Sequence, residues 1–175
     1  MKIIAFSASS SRESINKKLV TYAASLVEGA DVEVIDINDY EMPLFSEDRE
    51  KELGQPELAK AFFGKLGEAD GIIISFAEHN GSYTAAYKNL FDWTSRVNMK
   101  VFQDKPVVML STSPGPGGAK SVLGAATASS PYFGANLKGQ LSISSFYNVY
   151  DAENGVIHDD AIASELKTVV NAINV

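Results

Sequence analysis

The chain has 175 residues, of which 45% are hydrophobic and 21% are charged, and its formal net charge is −7. This length supports the hydrophobic core of one domain, so we expect a single domain over residues 1–175. An acidic chain lacks a general attraction to phosphate backbones, and no nucleic-acid partner is expected. The absence of cysteine excludes disulfides, iron–sulfur clusters and thiol nucleophiles.

The apolar stretches are all short. None approaches the roughly 20 residues that a membrane span needs, so no membrane partner is expected. Residues 1–6 are apolar but have no basic flank or cleavage site, and they are not interpreted as a signal peptide. A cytoplasmic location is therefore the default expectation.

The first third of the chain predicts two strands and one helix. Residues 2–6 and 32–35 are β-prone apolar runs. Between them, apolar residues recur at helical spacing, and Ser14 is the expected N-cap. The helical positions are Ile15, Leu19, Tyr22, Ala23 and Leu26. Residues 38–54 are mostly polar and contain Pro43, so they are predicted to form a loop.

The remainder of the chain continues the alternation of strands and helices. Strands are predicted at residues 71–76, 106–110 and 137–146. Helices are predicted from Pro56 through Leu66, from Tyr83 through Phe91, over residues 122–128, and from Ile162 through Ile173. Asp159 and Asp160 precede the last helix, where its dipole favours negative charge.

Five strands that alternate with about five helices predict a parallel sheet covered on both faces. In such α/β sheets, ligands bind beyond the carboxyl ends of the strands, where the strand order reverses. Three polar loops follow predicted strands, at residues 7–16, 77–82 and 111–118. These loops are the candidate site.

The first loop contains five serines and leads into a helix N-terminus. Free N–H groups and the helix dipole favour an anion there, and small hydroxylated residues let a phosphate approach closely. The alternative is an ordinary serine-rich turn with an N-cap. The Walker pattern is absent, so a P-loop is not predicted.

The second loop, residues 77–82, follows the most apolar strand and offers backbone groups to the edge of a flat heterocycle. The alternative is that Asn80 or Ser82 caps the next helix. His79 suggests a metal or catalytic role, but His158 is the only other histidine. Because zinc sites need three or four protein ligands, no metal is expected.

The third loop, residues 111–118, is rich in glycine and proline, and glycine lets backbone lie against a ligand. The alternative is a tight turn. Lys120 stands where a dinucleotide fingerprint requires its third glycine, so a Rossmann site is not predicted. Hydrolase motifs are also absent.

Taken together, these segments resemble the NADPH-dependent FMN reductase family, which has a flavodoxin-like fold. The resemblance covers nearly the whole chain, and its most specific part is the central motif with Lys88-Asn89 and Asp92-Trp93 at the family's offsets. It is carried by residues 9–16, 34–45, 77–84, 88–93 and 113–118.

The resemblance implies a three-layer α/β sandwich whose five-stranded parallel sheet has the order 2-1-3-4-5. It also implies non-covalently bound FMN, with NADPH or NADH as the reductant. The implied FMN phosphate ligands are Ser9, Ser11, Ser14, Ile15 and Asn16. The residues implied to line the isoalloxazine ring are Ala77, Glu78, His79, Asn80 and Gly81, with Ser113, Gly115 and Gly118 on its other side.

The chain departs from the family pattern at two places. The family usually has Gly-Ser-x-Arg in the first loop, but Ala8 replaces the glycine and Ser11 replaces the arginine. This weakens the charge contact to phosphate unless Arg12 or Lys17 turns inward. In addition, His79 occupies the place of an aromatic residue beside the flavin.

The expected function is hydride transfer from NAD(P)H through FMN to a small-molecule electron acceptor such as a flavin or quinone. No side-chain acid, base or nucleophile is nominated, because the chemistry belongs to the flavin. One alternative is a flavodoxin-like electron carrier that acts with protein partners, which an acidic surface favours. Another is a relative without flavin. The apolar residues 42–45 imply a homodimer or homotetramer, as in the family.

Overall fold

The computed structural model describes residues 1–174. These residues form nine strands, seven α-helices and three short 3₁₀ turns. The strands are β1 (Lys2–Ala8), β2 (Asp31–Ile35), β3 (Gly71–Phe76), β4 (Glu78–His79), β5 (Ser82–Tyr83), β6 (Pro106–Thr112), β7 (Asn136–Ile143), β8 (Tyr150–Asp151) and β9 (Val156–Ile157). The helices are α1 (Ile15–Ser25), α2 (Glu47–Leu53), α3 (Glu57–Gly67), α4 (Ala85–Val97), α5 (Lys120–Ser129), α6 (Phe146–Val149) and α7 (Asp160–Asn171).

The central sheet has five strands in the order β2-β1-β3-β6-β7, and all neighbouring strands are parallel. Counting only these strands, the order is the predicted 2-1-3-4-5. The order reverses between β1 and β3, and a ligand site is expected beyond the carboxyl ends of those two strands.

Helices cover both faces of the sheet, which confirms the predicted three layers. On one face, Leu19 of α1 and Leu166 of α7 are fully buried. On the other face, Phe62 of α3 and Leu90 of α4 pack with α5. The middle strand β3 is buried along its whole length, because both of its faces meet helices.

The predicted loop over residues 38–54 is wrong in part. A 3₁₀ turn forms at Ile37–Tyr40, and α2 forms at Glu47–Leu53. The Ser46 side chain caps α2 by accepting a hydrogen bond from the Arg49 N–H at 3.1 Å. Helix α2 has no buried residue, so it lacks the apolar periodicity from which the other helices were predicted.

The predicted strand over residues 137–146 is too long at its carboxyl end. Strand β7 ends at Ile143, and Phe146 begins the one-turn helix α6. The chain turns at Ser145, whose φ of +50° is not compatible with a continuing strand. Helix α4 also begins later than predicted, because Tyr83 belongs to the β4–β5 hairpin.

Candidate functional site

The three predicted loops meet at the carboxyl ends of the central strands and enclose a cleft of about 240 Å³. The cleft lies where the strand order reverses, at the opening of α1. It is lined by Ser9, Ser11, Glu13, Ser14, Ile15, Asn16, Ala77, Glu78, His79, Thr112, Ser113, Pro114 and Tyr147.

Most of the residues predicted for the site line this cleft. They are Ser9, Ser11, Ser14, Ile15, Asn16, Ala77, Glu78, His79 and Ser113. The other four, Asn80, Gly81, Gly115 and Gly118, are not in the lining and shape the surrounding loops instead. The structure therefore brings together the first loop with parts of the second and third.

The N-terminus of α1 lies at the cleft and has backbone N–H groups without partners in the described residues. Within residues 1–174, the N–H groups of Arg12, Glu13, Ile15 and Asn16 have no hydrogen-bond acceptor. Ser14 is the N-cap, as predicted, but its side chain makes no capping bond. Unpaired N–H donors at a helix N-terminus are what a phosphate binds to, and three of these residues, Glu13, Ile15 and Asn16, line the cleft. The residues present therefore fit the phosphate of FMN.

The side chain of Asn16 is not free for a ligand. Its amide Nδ2–H donates to the Thr112 carbonyl at 3.1 Å, and its Oδ1 accepts from the Thr112 N–H at 3.0 Å. The same oxygen accepts from the Ser75 hydroxyl at 2.7 Å. Asn16 is 2% exposed, and its side chain holds α1 to β3 and β6, so within residues 1–174 only its backbone N–H is left without a partner.

The two basic residues considered for the phosphate differ in their surroundings. Lys17 Nζ donates to Asp36 Oδ2 at 2.6 Å, so its charge is already paired with a carboxylate. Burial opposes ionisation of Asp36, but the bonds from Lys17 and from the Asn38 N–H outweigh it and lower the pKa of that carboxyl. Arg12 is exposed and forms no ion pair within the described part of the chain.

The second loop is a tight antiparallel hairpin formed by β4 and β5. Its two turn residues, Asn80 and Gly81, both have positive φ, +52° and +76°, as a type I′ turn requires. The alternative that Asn80 or Ser82 caps the next helix is wrong, because the Thr84 hydroxyl accepts the Tyr87 N–H at 3.2 Å. Asn80 and Gly81 form the exposed tip of the hairpin.

Glu78 connects the hairpin to α5. Its Oε2 accepts a hydrogen bond from the Val122 N–H at 2.8 Å, in the first turn of that helix. A carboxylate at a helix N-terminus is stabilised by the unpaired N–H groups and the helix dipole. The Glu78 carboxylate is therefore directed to α5, and the backbone around it remains to face a ligand ring.

The third loop is held in shape by its glycines. Gly118 has a φ of +63°, and an added Cβ would collide with the Ser142 hydroxyl. Its carbonyl accepts from the hydroxyls of Ser111 and Ser142 at 2.7 and 2.8 Å. The Gly115 carbonyl accepts the Ser145 N–H at 2.8 Å. These contacts fix where the cleft-lining part of the loop lies.

Four lining residues were not predicted, namely Glu13, Thr112, Pro114 and Tyr147. The first three lie inside loops that were identified correctly, so loop membership was the available signal. Tyr147 is on α6 and is 67% exposed. No sequence pattern indicated it, because the predicted strand ended at Phe146 and no element was predicted directly after it.

Two structural features bear on the expected partners. Within residues 1–174, no group of three or more His, Asp or Glu side chains is placed to hold a metal ion. In the same residues, no helix combines the length and apolar character needed to cross a membrane. The predictions of no metal and no membrane partner stay predictions.

The fold defines a class, the flavodoxin-like α/β proteins, and the cleft lies where the strand order of this fold reverses. The family model described as NADPH-dependent FMN reductase matches residues 1–147. The chain therefore belongs to that family, and the predicted resemblance is confirmed. FMN and a nicotinamide reductant are the cofactors by which this family is described.

Two curated relatives illustrate the family's range. An NADPH:quinone oxidoreductase of Arabidopsis thaliana is 36% identical over 125 residues, which cover 69% of this chain and 62% of that protein. An NAD(P)H-dependent FMN reductase of Pseudomonas aeruginosa is 29% identical over 164 residues, which cover 92% of this chain and 87% of that protein. The matches to the Arabidopsis protein and to a Burkholderia 2-hydroxy-1,4-benzoquinone reductase span 62% of the length of each relative.

Solved structures show the same fold. FerB, a flavoenzyme NAD(P)H:acceptor oxidoreductase from Paracoccus denitrificans, superposes with a TM-score of 0.81. It is 24% identical, and the alignment covers 98% of this chain and 94% of FerB. The flavodoxin-like fold is thereby confirmed.

Proposed function

We propose that this protein is an FMN-dependent NAD(P)H oxidoreductase that passes a hydride to a quinone, a free flavin or a similar small-molecule acceptor. The observation that carries the proposal is the set of unpaired N–H groups at the opening of α1, on the same cleft as the second and third loops. Membership of the FMN reductase family supports it.

The first loop would hold the FMN phosphate. The N–H groups of Arg12, Glu13, Ile15 and Asn16 are donors without acceptors in the described residues. The Ser11 N–H is bonded to Ser9 Oγ at 3.2 Å, which leaves the Ser9 hydroxyl hydrogen free to donate. Neutral donors of this kind bind a phosphate without an added positive charge.

The second and third loops would position the ring. Ala77, Glu78 and His79 form one wall of the cleft, and Ser113 and Pro114 form another. When bound there, FMN would supply the chemistry of hydride transfer between a nicotinamide and an acceptor. The protein residues bind and orient it. Because the cleft is open and shallow, the reductant and then the acceptor could reach the same exposed ring.

The alternative of an electron carrier is not favoured. The acidic composition is compatible with docking to protein partners. However, the family is named for a nicotinamide-dependent reductase activity, and none of the relatives described above is a carrier.

We further propose that the chain, as one domain over residues 1–175, forms a homodimer or homotetramer in the cytoplasm, where nicotinamide reductants are available. The support for self-association is the segment over residues 42–45. Trp93 Nε1–H donates to the Pro43 carbonyl at 2.8 Å, and the Phe45 N–H donates to Asn89 Oδ1 at 2.8 Å. The segment is thus held rigidly while Leu44 stays 75% exposed.

Steady-state turnover tests the proposed function. Protein reconstituted with FMN is supplied with NADPH and a benzoquinone, and NADPH oxidation is followed at 340 nm, the usual nicotinamide band. We expect oxidation that requires protein, FMN and quinone together. NADPH oxidation no faster than with free FMN would contradict a reductase and favour the carrier.

A further inference from the structure

A second cavity lies between α4 and α5, on the other side of the β4–β5 hairpin from the cleft. Its volume is about 270 Å³, and it reaches down to the sheet at Phe76 and Met109, each 1% exposed. Phe91, Phe102 and Phe133 contribute further aromatic wall. None of these residues lines the cleft assigned to FMN.

The cavity contains a polar group with no partner. Tyr87 is 4% exposed, and its hydroxyl makes no hydrogen bond within residues 1–174. That hydroxyl is nevertheless open to the cavity, since every fully buried side-chain N or O atom in the described residues has a partner. The ring of Tyr83 also lines the cavity, 5.6 Å from the ring of Tyr87.

The Tyr83 hydroxyl also has no partner in the described residues, but the remaining polar side chains at the cavity are paired. Lys88 Nζ bonds to Asp92 at 2.7 Å. The Ser95 hydroxyl donates to the Asp92 carbonyl, and the Ser129 hydroxyl donates to the Ala125 carbonyl. Burial raises the pKa of Tyr87, so its hydroxyl stays protonated and can act as a donor. The site therefore presents a donor in an apolar aromatic enclosure.

The size of the cavity limits its occupant. An apolar cavity of about 150 Å³ holds one benzene ring, and drug-sized ligands occupy about 300 Å³ or more. The present cavity, at about 270 Å³, is between these sizes. It fits a molecule of two fused rings.

We propose that this cavity is a binding site for a neutral bicyclic aromatic molecule that carries a carbonyl group. The rings pack among the aromatic walls, and the carbonyl accepts a hydrogen bond from the Tyr87 hydroxyl. A charged ligand is disfavoured, because the two charged residues in the lining, Lys88 and Asp92, are already paired with each other. This site is separate from the cofactor cleft and goes beyond the proposed reductase activity.

The β4–β5 hairpin and α5 contribute residues to the contacts that link the cavity to the cleft. Tyr83 pairs with Glu78 across the hairpin, and Glu78 binds the Val122 N–H of α5. Helix α5 also supplies Ala126 to the cavity wall. A molecule in the cavity therefore contacts the far side of the loop proposed to face the flavin.

The Met109 methyl group is a direct reporter of this site. The chain has four methionines, and the other three, Met1, Met42 and Met99, do not line the cavity. Coumarin, a neutral bicyclic molecule with one carbonyl, is titrated into FMN-saturated protein labelled with ¹³C at the methionine methyls. We expect a saturable shift of Met109, with the other methyl signals unmoved.

Two variants and one control define the contact. Tyr87→Phe should weaken coumarin binding roughly 2- to 10-fold, the effect of one hydrogen bond. Ala126→Phe should abolish the shift by filling the cavity. Tyr132→Phe makes the same chemical change at a residue that is 81% exposed and should have no effect.

Several outcomes would overturn the proposal. One is an unshifted Met109 up to the solubility limit of coumarin, and another is equal affinity in Tyr87→Phe. A Met109 shift that bound FMN abolishes would show that coumarin competes with FMN, and a site separate from the cofactor cleft would then be wrong. If Met109 shifts with protein concentration and coumarin does not bind, the occupant is a second copy of the chain. The titration is also repeated on protein without FMN. Its result shows whether a negative outcome comes from the cavity itself or from a failure of the protein to bind FMN.

Discussion

Asn16 and Thr112 exchange two hydrogen bonds across the base of the cleft, at 3.1 and 3.0 Å. These bonds join the first turn of α1 to the end of β6, although the residues are 96 positions apart. The amide group of Asn16 thus sets the distance between the first and third loops.

Asn16→Ala should destabilise the protein by about 2–4 kcal/mol, because it leaves the Thr112 N–H and carbonyl and the Ser75 hydroxyl unpaired in a buried place. The measurement is urea unfolding followed by circular dichroism. Asn148→Ala, at an exposed asparagine, is the control. A loss no larger than that of the control would show that the bridge is unimportant.

Ser11→Arg should tighten FMN binding, because it restores a positive charge at the place where the family usually has arginine. A single exposed charge pair contributes about 1 kcal/mol at most, so we expect an affinity gain of up to about 5-fold. Quenching of FMN fluorescence during titration gives the dissociation constant. The gain in FMN affinity should be smaller in high salt. A gain that does not depend on the salt concentration would argue against a charge contact with the phosphate.

Glu78→Ala should cost about 1–3 kcal/mol, since the Val122 N–H loses its carboxylate partner. Glu78→Gln keeps an acceptor and should cost less. Glu78→Ala should also raise the dissociation constant for FMN, because the hairpin loses its attachment to α5, and Glu78→Gln should raise it less. Glu165→Gln, at an exposed glutamate, is the control for charge alone. Unchanged FMN affinity in Glu78→Ala would show that the bond between Glu78 and Val122 does not affect cofactor binding.

Lys2 and Lys65 each bridge Glu33 and Glu68 beneath the amino ends of β1 and β2. The hydrogen bonds from Lys65 and Lys2 lower the pKa of Glu33, and those from Lys2 and Lys65 lower the pKa of Glu68. Because the folded pKa values are lowered, this stabilisation is complete above the ordinary glutamate value of 4.5 and is lost as the pH falls through the folded values.

At about pH 6 the double variant of Glu33→Gln and Glu68→Gln should therefore have a lower melting temperature than the unmodified protein. The difference in melting temperature should narrow toward about pH 3. Differential scanning calorimetry gives both melting temperatures. Added salt should also narrow the gap at about pH 6, because these groups are solvent-exposed. A gap that widens in acid would contradict the sign of these shifts.

The layers could be predicted because burial leaves a periodic pattern, whereas the strand order was implied only by the resemblance to the family. Helices such as α7 carry an apolar face, and β3 is apolar throughout because both of its sides are covered. Helix α2 was not predicted, because it buries none of its residues and so shows no apolar face. Its N-terminus is capped by Ser46.

The candidate site was predictable at the level of loops but not of contacts. The hydroxyl-rich first loop indicated the anion site, yet its sequence does not show that the Asn16 amide is used by β3 and β6. Tyr147 reaches the cleft only because β7 ends early, where the Ser145 and Phe146 N–H groups bond to the third loop. Such long-range backbone contacts leave no local pattern.

The central claim is that the cleft binds FMN in a form that NADPH can reduce. The most direct measurement is the absorbance of FMN-loaded protein during anaerobic mixing with NADPH. Oxidised flavin has bands near 370 and about 450 nm. The account predicts bands that remain with the protein through gel filtration and bleach on mixing. Protein that retains no flavin, or bound flavin that NADPH does not bleach, would contradict it.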